Sequence, residues 1–210
     1  GALAATDVDA DDAVALTATA GHITVGSVTS GGAATLTAAS GSILDAADDG
    51  VVDITAGGLI TLTAAGDIAG VAAPGDTALE LAAGSQVNAS STTAGDILLA
   101  GAGALTLTDV DTVDGNITVT AAGALAATDV DADDALSLST SAGDINVGSV
   151  TAGSTAALTA TNGSILDAAD DAVVDITAGG LITLTAAGDI AGPGPGDSAL
   201  ELAAGSQVDA

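Results

Sequence analysis

Residues 1–12, reading Gly-Ala-Leu-Ala-Ala-Thr-Asp-Val-Asp-Ala-Asp-Asp, return unchanged as residues 123–134, and the correspondence holds at an offset of 122 as far as Gly70 and Gly192. Beyond that point the second copy is one residue shorter, then runs in step to Ala210. The chain therefore reads as a first long repeat, 1–122, and a second, truncated one, 123–210. Without an initial Met and stopping within a copy, it reads as a slice of something longer. A chain that repeats itself folds by stacking like units, each covering the apolar face of its neighbour.

A shorter period lies inside the long one. Glycine followed closely by an aliphatic residue recurs at Gly21-His22-Ile23, Gly41-Ser42-Ile43, Gly66-Asp67-Ile68, Gly84-Ser85-Gln86-Val87 and Gly103-Ala104-Leu105. From Gly1 the steps are 20, 20, 25, 18, 19 and 20 residues, which together make 122 and predict six coils per long repeat. Within them aliphatic and Thr residues alternate strictly, as in Ile60-Thr61-Leu62-Thr63, Leu105-Thr106-Leu107-Thr108 and Ile117-Thr118-Val119-Thr120. A period of two in β-branched residues predicts strands with the aliphatic side inward. The fold expected is an all-β parallel β-helix, a single solenoid running through both copies.

Comparing the copies separates interior from surface. Leu16/Leu138, Ile23/Ile145, Val25/Val147, Val28/Val150, Leu36/Leu158, Ile43/Ile165, Ile54/Ile176, Leu62/Leu184 and Ile68/Ile190 are unchanged. Most changes fall between them, among them Thr17/Ser139, His22/Asp144, Thr24/Asn146, Ser30/Ala152, Thr35/Ala157 and Ser40/Asn162. The unchanged set is the expected core.

Composition narrows function. There is no Lys, Arg, Cys, Met or aromatic residue, and the formal net charge is −28. Such a chain repels nucleic acid and has no stacking ring to hold it, so no nucleic-acid partner is expected. High charge suggests disorder only where hydrophobicity is low, and here 48% of residues are hydrophobic. No apolar run approaches the ~20 residues of a membrane span. The one histidine, His22, has Asp144 as its counterpart, which a duplicated active site would not allow, and no enzymatic function is expected.

The glycine-led strands, with Leu-Ile-Thr-Leu-Thr-Ala-Ala-Gly-Asp-Ile at 59–68 and again at 181–190, resemble the repeats of filamentous-haemagglutinin-type secreted adhesins. That resemblance implies a right-handed β-helix shaft of a large bacterial exoprotein. The expectation is a structural segment of an extracellular or cell-surface adhesin, sheath or filament, whose partners are further copies of the repeat, in cis or end to end in a fibre, and other shafts or surface glycans. The alternative is a ligand-binding solenoid, taking ice through Thr ladders such as Thr106/Thr108 and Thr118/Thr120, or a glycan through bound Ca²⁺.

Carboxylates are the remaining chemistry. Thr-Asp-Val-Asp occurs at 6–9, 108–111 and 128–131. Six-coil stacking sets Asp109 beside Asp129, Asp111 beside Asp131 and Asp114 beside Asp134, so six carboxylates converge on one strip with no cation in the chain to offset them. A hard divalent ion such as Ca²⁺ would offset them, and these six are the expected metal ligands. The competing reading is a solvated acidic loop. The EF-hand pattern is not met, since Asp12 stands where that loop needs Gly. A second acidic stretch, Asp45 to Asp49 with Asp167 to Asp171, is expected to be a surface turn.

Overall fold

The computed structural model describes residues 1–47, 49–70, 78–169, 172–191 and 199–210. Among them there is no helix, and the strands form two sheets of 14 and 12 strands in which every pairing is parallel. The chain is a parallel β-solenoid, as the alternation predicts.

A coil of the first copy has three strands, exemplified by Leu3–Ala5, Val8–Ala10 and Val14–Ala18. The first two form one bent wall, broken at Thr6 and Asp7, and the third forms a straight wall opposite. Each strand stacks on its counterpart in the next coil. Leu3, Ile23, Ile43, Ile68, Ile97, Ile117, Leu136, Ala156, Ile182 and Val208 form one continuous rank. Nine steps of ~4.8 Å give a rod whose first and last strands in that rank lie about 43 Å apart.

The rank departs from the expected coil count. Five steps carry Leu3 to Ile117, but Leu125, the repeat equivalent of Leu3, lies eight residues further on, in the opposite sheet, stacked on Leu105. One long repeat is thus five and a half coils, and the second copy faces the other way. The reason is the coil beginning at Gly66, which is 29 residues long because Ile68 stacks under Ile97. Gly66 and Gly84 both head strands, but on opposite walls, Ile68–Gly70 and Ser85–Ser91.

Two long strands make the exchange. Ile97–Gly101 receives both stacks of the first copy's bent wall, since Ile97 pairs with Ile68 and Leu99 to Gly101 pair with Leu79 to Leu81. From there the wall is straight. Leu105–Thr112 stands on the straight wall's Ser85–Ser91 and carries above it the second copy's bent wall, Leu125–Ala127 and Val130–Ala132. Straight and bent walls change places with no break in either sheet.

The interior is one aliphatic cluster running the length of the rod. Of the nine unchanged pairs named above, all members are buried except Leu16, which is partly buried, and Ile190, 37% exposed, whereas Val51 and Val173, also unchanged, are exposed. Leu16 and Ile190 lie in terminal strands of the 12-stranded sheet, or beside one, where a coil covers one side only.

The residue after the coil-leading glycine has a physical role that explains its identity. Its side chain accepts the backbone N–H of the equivalent residue one coil on: Ser42 N–H to His22 Nδ1 (3.0 Å), Asp67 N–H to Ser42 Oγ (3.1 Å), Asp96 N–H to Asp67 Oδ1 (3.0 Å) and Asn116 N–H to Asp96 Oδ1 (2.8 Å). The second copy repeats it with Ser164 N–H to Asp144 Oδ1 at 2.8 Å. His22 and Asp144 are interchangeable because each supplies an acceptor. Asp96 also accepts Asn116 Nδ2 at 2.9 Å. Asp96→Ala should therefore cost about 1 kcal/mol in urea unfolding, and Asp96→Asn clearly less, because Asn retains an acceptor. Equal losses in the two variants would contradict this role.

Candidate metal centre

The acidic strip at the repeat junction exists in part. Asp111 stacks directly on Asp131, and Asp109 and Asp129 precede the paired Val110 and Val130, with Val110 N–H donating to Asp129 O at 3.0 Å. The strip is two coils deep: Asn88 and Ser90 stack on Asp109 and Asp111 from one side, and Thr151 on Asp131 from the other. Asp114 and Asp134 do not share a register. The offset shortens from 20 at Val110/Val130 to 19 at Ile117/Leu136, which places Asp134 against Gly115, whose O accepts the Asp134 N–H at 3.1 Å. Asp109, Asp114, Asp129, Asp131 and Asp134 are exposed, and Asp111 is half-buried with Ser90 Oγ donating to its Oδ1 at 3.0 Å. Burial raises the Asp111 pKa, the Ser90 hydrogen bond opposes this, and Asp109, Asp131 and Asp129 add to the rise.

Carboxylates close to ligand distance elsewhere. Among the described residues, the acidic groups whose oxygens lie within 4.8 Å of one another are Asp45, Asp53 and Glu80, and then Asp167, Asp175 and Glu201. The second set is the first set's counterpart in the repeat, at offsets of 122, 122 and 121. Either cluster could hold a metal ion.

The backbone builds this triad at a corner. In the second coil the bent wall turns with two residues, Gly26 and Ser27, between Ile23–Val25 and Val28–Ser30. In the third, eight residues separate Ile43–Asp45 from Ile54–Ala56. Alternation along Ile43–Asp45 turns Asp45 inward, and it is 1% exposed. The expected surface turn is therefore corrected at Asp45 and Asp167, both buried; Asp48, Asp170 and Asp171 lie outside the described residues. Asp53 leads into Ile54–Ala56, and because Ile54 stacks on Leu81 it lies against Glu80.

Backbone donors fix the carboxylates. Ala47 N–H donates to Asp45 Oδ1 at 2.9 Å and Glu80 N–H to Asp53 Oδ2 at 2.9 Å. Ala169 N–H to Asp167 Oδ1 and Glu201 N–H to Asp175 Oδ2 reproduce both contacts, at 2.8 and 2.7 Å. Burial pushes Asp53 up to about 8, with Asp45 and Glu80 adding to the rise and the Glu80 N–H opposing it. Asp175 is pushed up to about 6, again chiefly by burial.

A pH dependence follows. A carboxyl whose pKa is raised on folding contributes stability that is fully present below its unfolded value, 3.8, and lost as pH climbs through its folded value. In chelator, stability should fall as pH is raised from about 4 to about 8, each extra proton held by the folded chain contributing at most about 1.4 kcal/mol per pH unit. Asp175 acts over the lower part of that window, to about 6. Thermal melts in EDTA across this range should show the decline, and Asp53→Asn should flatten it. Equal slopes in the two proteins would contradict the prediction.

Sequence reasoning passed over Asp53, Glu80, Asp175 and Glu201. One signal was available: Glu80 and Glu201 are the chain's two glutamates, and they occupy equivalent places. The Thr ranks meanwhile are short. Thr17, Thr37 and Thr63 stack in register, but the rank continues as Ser90 and Asp111, and Thr118 stands between Leu98 and Ser137. No family model matches the chain, and comparison with curated proteins and with solved structures also gave no match.

Proposed function

We propose that this chain is a length of structural shaft from an extracellular fibrous protein, an adhesin, sheath or surface filament, whose work is reach. The observation that supports the reading most is the junction between copies. Leu105–Thr112 ends one copy's wall and founds the next copy's wall, its ladder to Ser85–Ser91 shifting by one residue between Val87 and Asn88 and its ladders to Leu125–Ala127 and Val130–Ala132 keeping one offset, so the unit joins to itself without an adaptor. At five and a half coils of ~4.8 Å, each added unit lengthens the rod by about 26 Å. Stability in such a rod accumulates from nearest-neighbour coil contacts and grows with the number of units.

The charge of −28 with no Lys or Arg fits the same role. It keeps neighbouring shafts apart in solution, and Ca²⁺ shared between acidic strips such as Asp109, Asp111, Asp129 and Asp131 draws them together. The likeness of 59–68 and 181–190 to haemagglutinin-type repeats agrees with a shaft and an extracellular location.

Tandem arrays of two, three and four 122-residue units test the reading by electron microscopy. Rods of constant width that lengthen by about 26 Å per unit support it. Strings of separate beads, or a length that does not grow with unit number, would overturn it.

A further inference from the structure

Three carboxyl groups 1%, 3% and 5% exposed, Asp45, Asp53 and Glu80, meet in a chain that has neither Lys nor Arg to neutralise them. Buried charge of one sign is tolerated only when something compensates it, and here the compensation must come from a proton or from outside the chain. Two further observations favour a ligand. Asp45 spends Oδ1 on the Ala47 N–H, while its Oδ2 is fully buried and receives no hydrogen bond. In the second triad the same is true of Glu201 Oε2. Each triad thus keeps at least one buried acceptor oxygen free of any hydrogen-bond donor, although the two copies sit on opposite walls of the rod.

We propose that each triad, Asp45/Asp53/Glu80 and Asp167/Asp175/Glu201, binds one hard divalent cation of the Ca²⁺ type, one ion per long repeat.

The chemistry selects the class. All donors are carboxylate oxygens, with no imidazole or thiolate, which suits Ca²⁺ or Mg²⁺ rather than a transition metal. Oxygens within 4.8 Å of one another can share an ion that takes its ligands at about 2.3–2.6 Å, the Ca²⁺ distance, and three carboxylates offer up to six oxygens. Mg²⁺ demands ~2.1 Å octahedral contacts and gives up its water reluctantly, which a site this buried disfavours. The ion fastens the third coil's wide corner, through Asp45 and Asp53, to Glu80 in the coil above. It is an internal fastening, distinct from ions at the exposed junction strip, and it holds whether or not the rod serves as a shaft. Because the long repeat ends on a half-turn, successive ions lie on alternate sides of the rod.

Calorimetric titration of CaCl₂ into the chelator-treated 210-residue chain, in enough KCl to screen the surface, is the test. Two saturable sites are expected. Glu80→Gln should abolish one, Glu201→Gln the other, and the double variant both, whereas Asp109→Asn with Asp129→Asn and Asp131→Asn should leave both. Circular dichroism should show each Gln variant folded, and in EDTA each should melt above the parent because it buries less charge. Absence of saturable binding in the parent, or binding that survives the double Gln substitution, would overturn the proposal. Neither result depends on whether tandem arrays lengthen.

Discussion

Gly153→Ala is expected to destabilise the rod by about 3 kcal/mol or more in urea unfolding, although Gly153 is an exposed residue at a corner. A Cβ there would stand 1.8 Å from Asp133 O, the backbone oxygen of the coil beneath. Backbone cannot rotate aside as a side chain can, so one coil must move off its neighbour and loosen the ladders on both walls. The equivalent Gly31 meets Asp11 O at 2.0 Å, which marks the contact as a property of the repeat. Ser154→Ala, at the adjacent exposed position, serves as control and should change stability by less than about 0.5 kcal/mol. If the two substitutions cost the same, the coils are not stacked this closely.

The second large effect is a contrast between two copies of one residue. Leu138 is fully buried between coils, stacked on Val119 and beneath Leu158, so Leu138→Ala should cost about 2–5 kcal/mol. Its equivalent Leu16 belongs to Val14–Ala18, which is paired on one side only, by Ala34–Ala38, and it is only partly buried. Leu16→Ala removes less contact and leaves a smaller cavity, so its cost should be less than half as large. Denaturant unfolding of both variants checks the ratio, and a capping coil joined ahead of Leu3 should bring the two values together.

Much of this architecture was legible because strand and coil leave local marks. Ile60-Thr61-Leu62-Thr63 needs no partner to declare which side faces the core, and of the nine aliphatic pairs singled out by comparing the copies every member but Leu16 and Ile190 is buried. Gly-Asp-Ile and Gly-Ser-Ile were legible as coil starts, and the ladder of accepted N–H groups gives the reason for Asp, Ser, Asn and His after the glycine. The half-turn was not legible. Gly66 and Gly84 carry the same signal, yet they head opposite walls, and only the stacking of Ile68 under Ile97 tells them apart.

The triads were hidden for a related reason. Asp45 and Asp53 are eight residues apart around a wide corner, and Glu80 arrives from the next coil, 27 residues beyond Asp53. Nothing local joins them. Thr-Asp-Val-Asp, by contrast, is dense in the sequence and open in the structure, because a strand that alternates in and out sends its charges to solvent. In Thr-Asp-Val-Asp the density of Asp goes with exposure, but in the stretches beginning at Asp45 and Asp167 it hides a buried carboxylate, and the isolated Glu80 and Glu201 marked the buried clusters.

The half-turn rests on the 29-residue coil, and one pair of positions reads it directly. Thr61 and Asn88 stack as neighbours on adjacent straight-wall strands, whereas six equal-handed coils would set Thr61 near Leu79 instead. The chain has no cysteine, so Thr61→Cys with Asn88→Cys introduces the only thiols present. Neighbouring strands lie within the ~4.4–6.8 Å Cα separation that a disulfide spans. Mild oxidation of the folded, monomeric double variant should close an intramolecular disulfide in nearly every molecule. Two thiols that stay free in the folded chain, or cross-link only between molecules, would contradict five and a half coils per repeat.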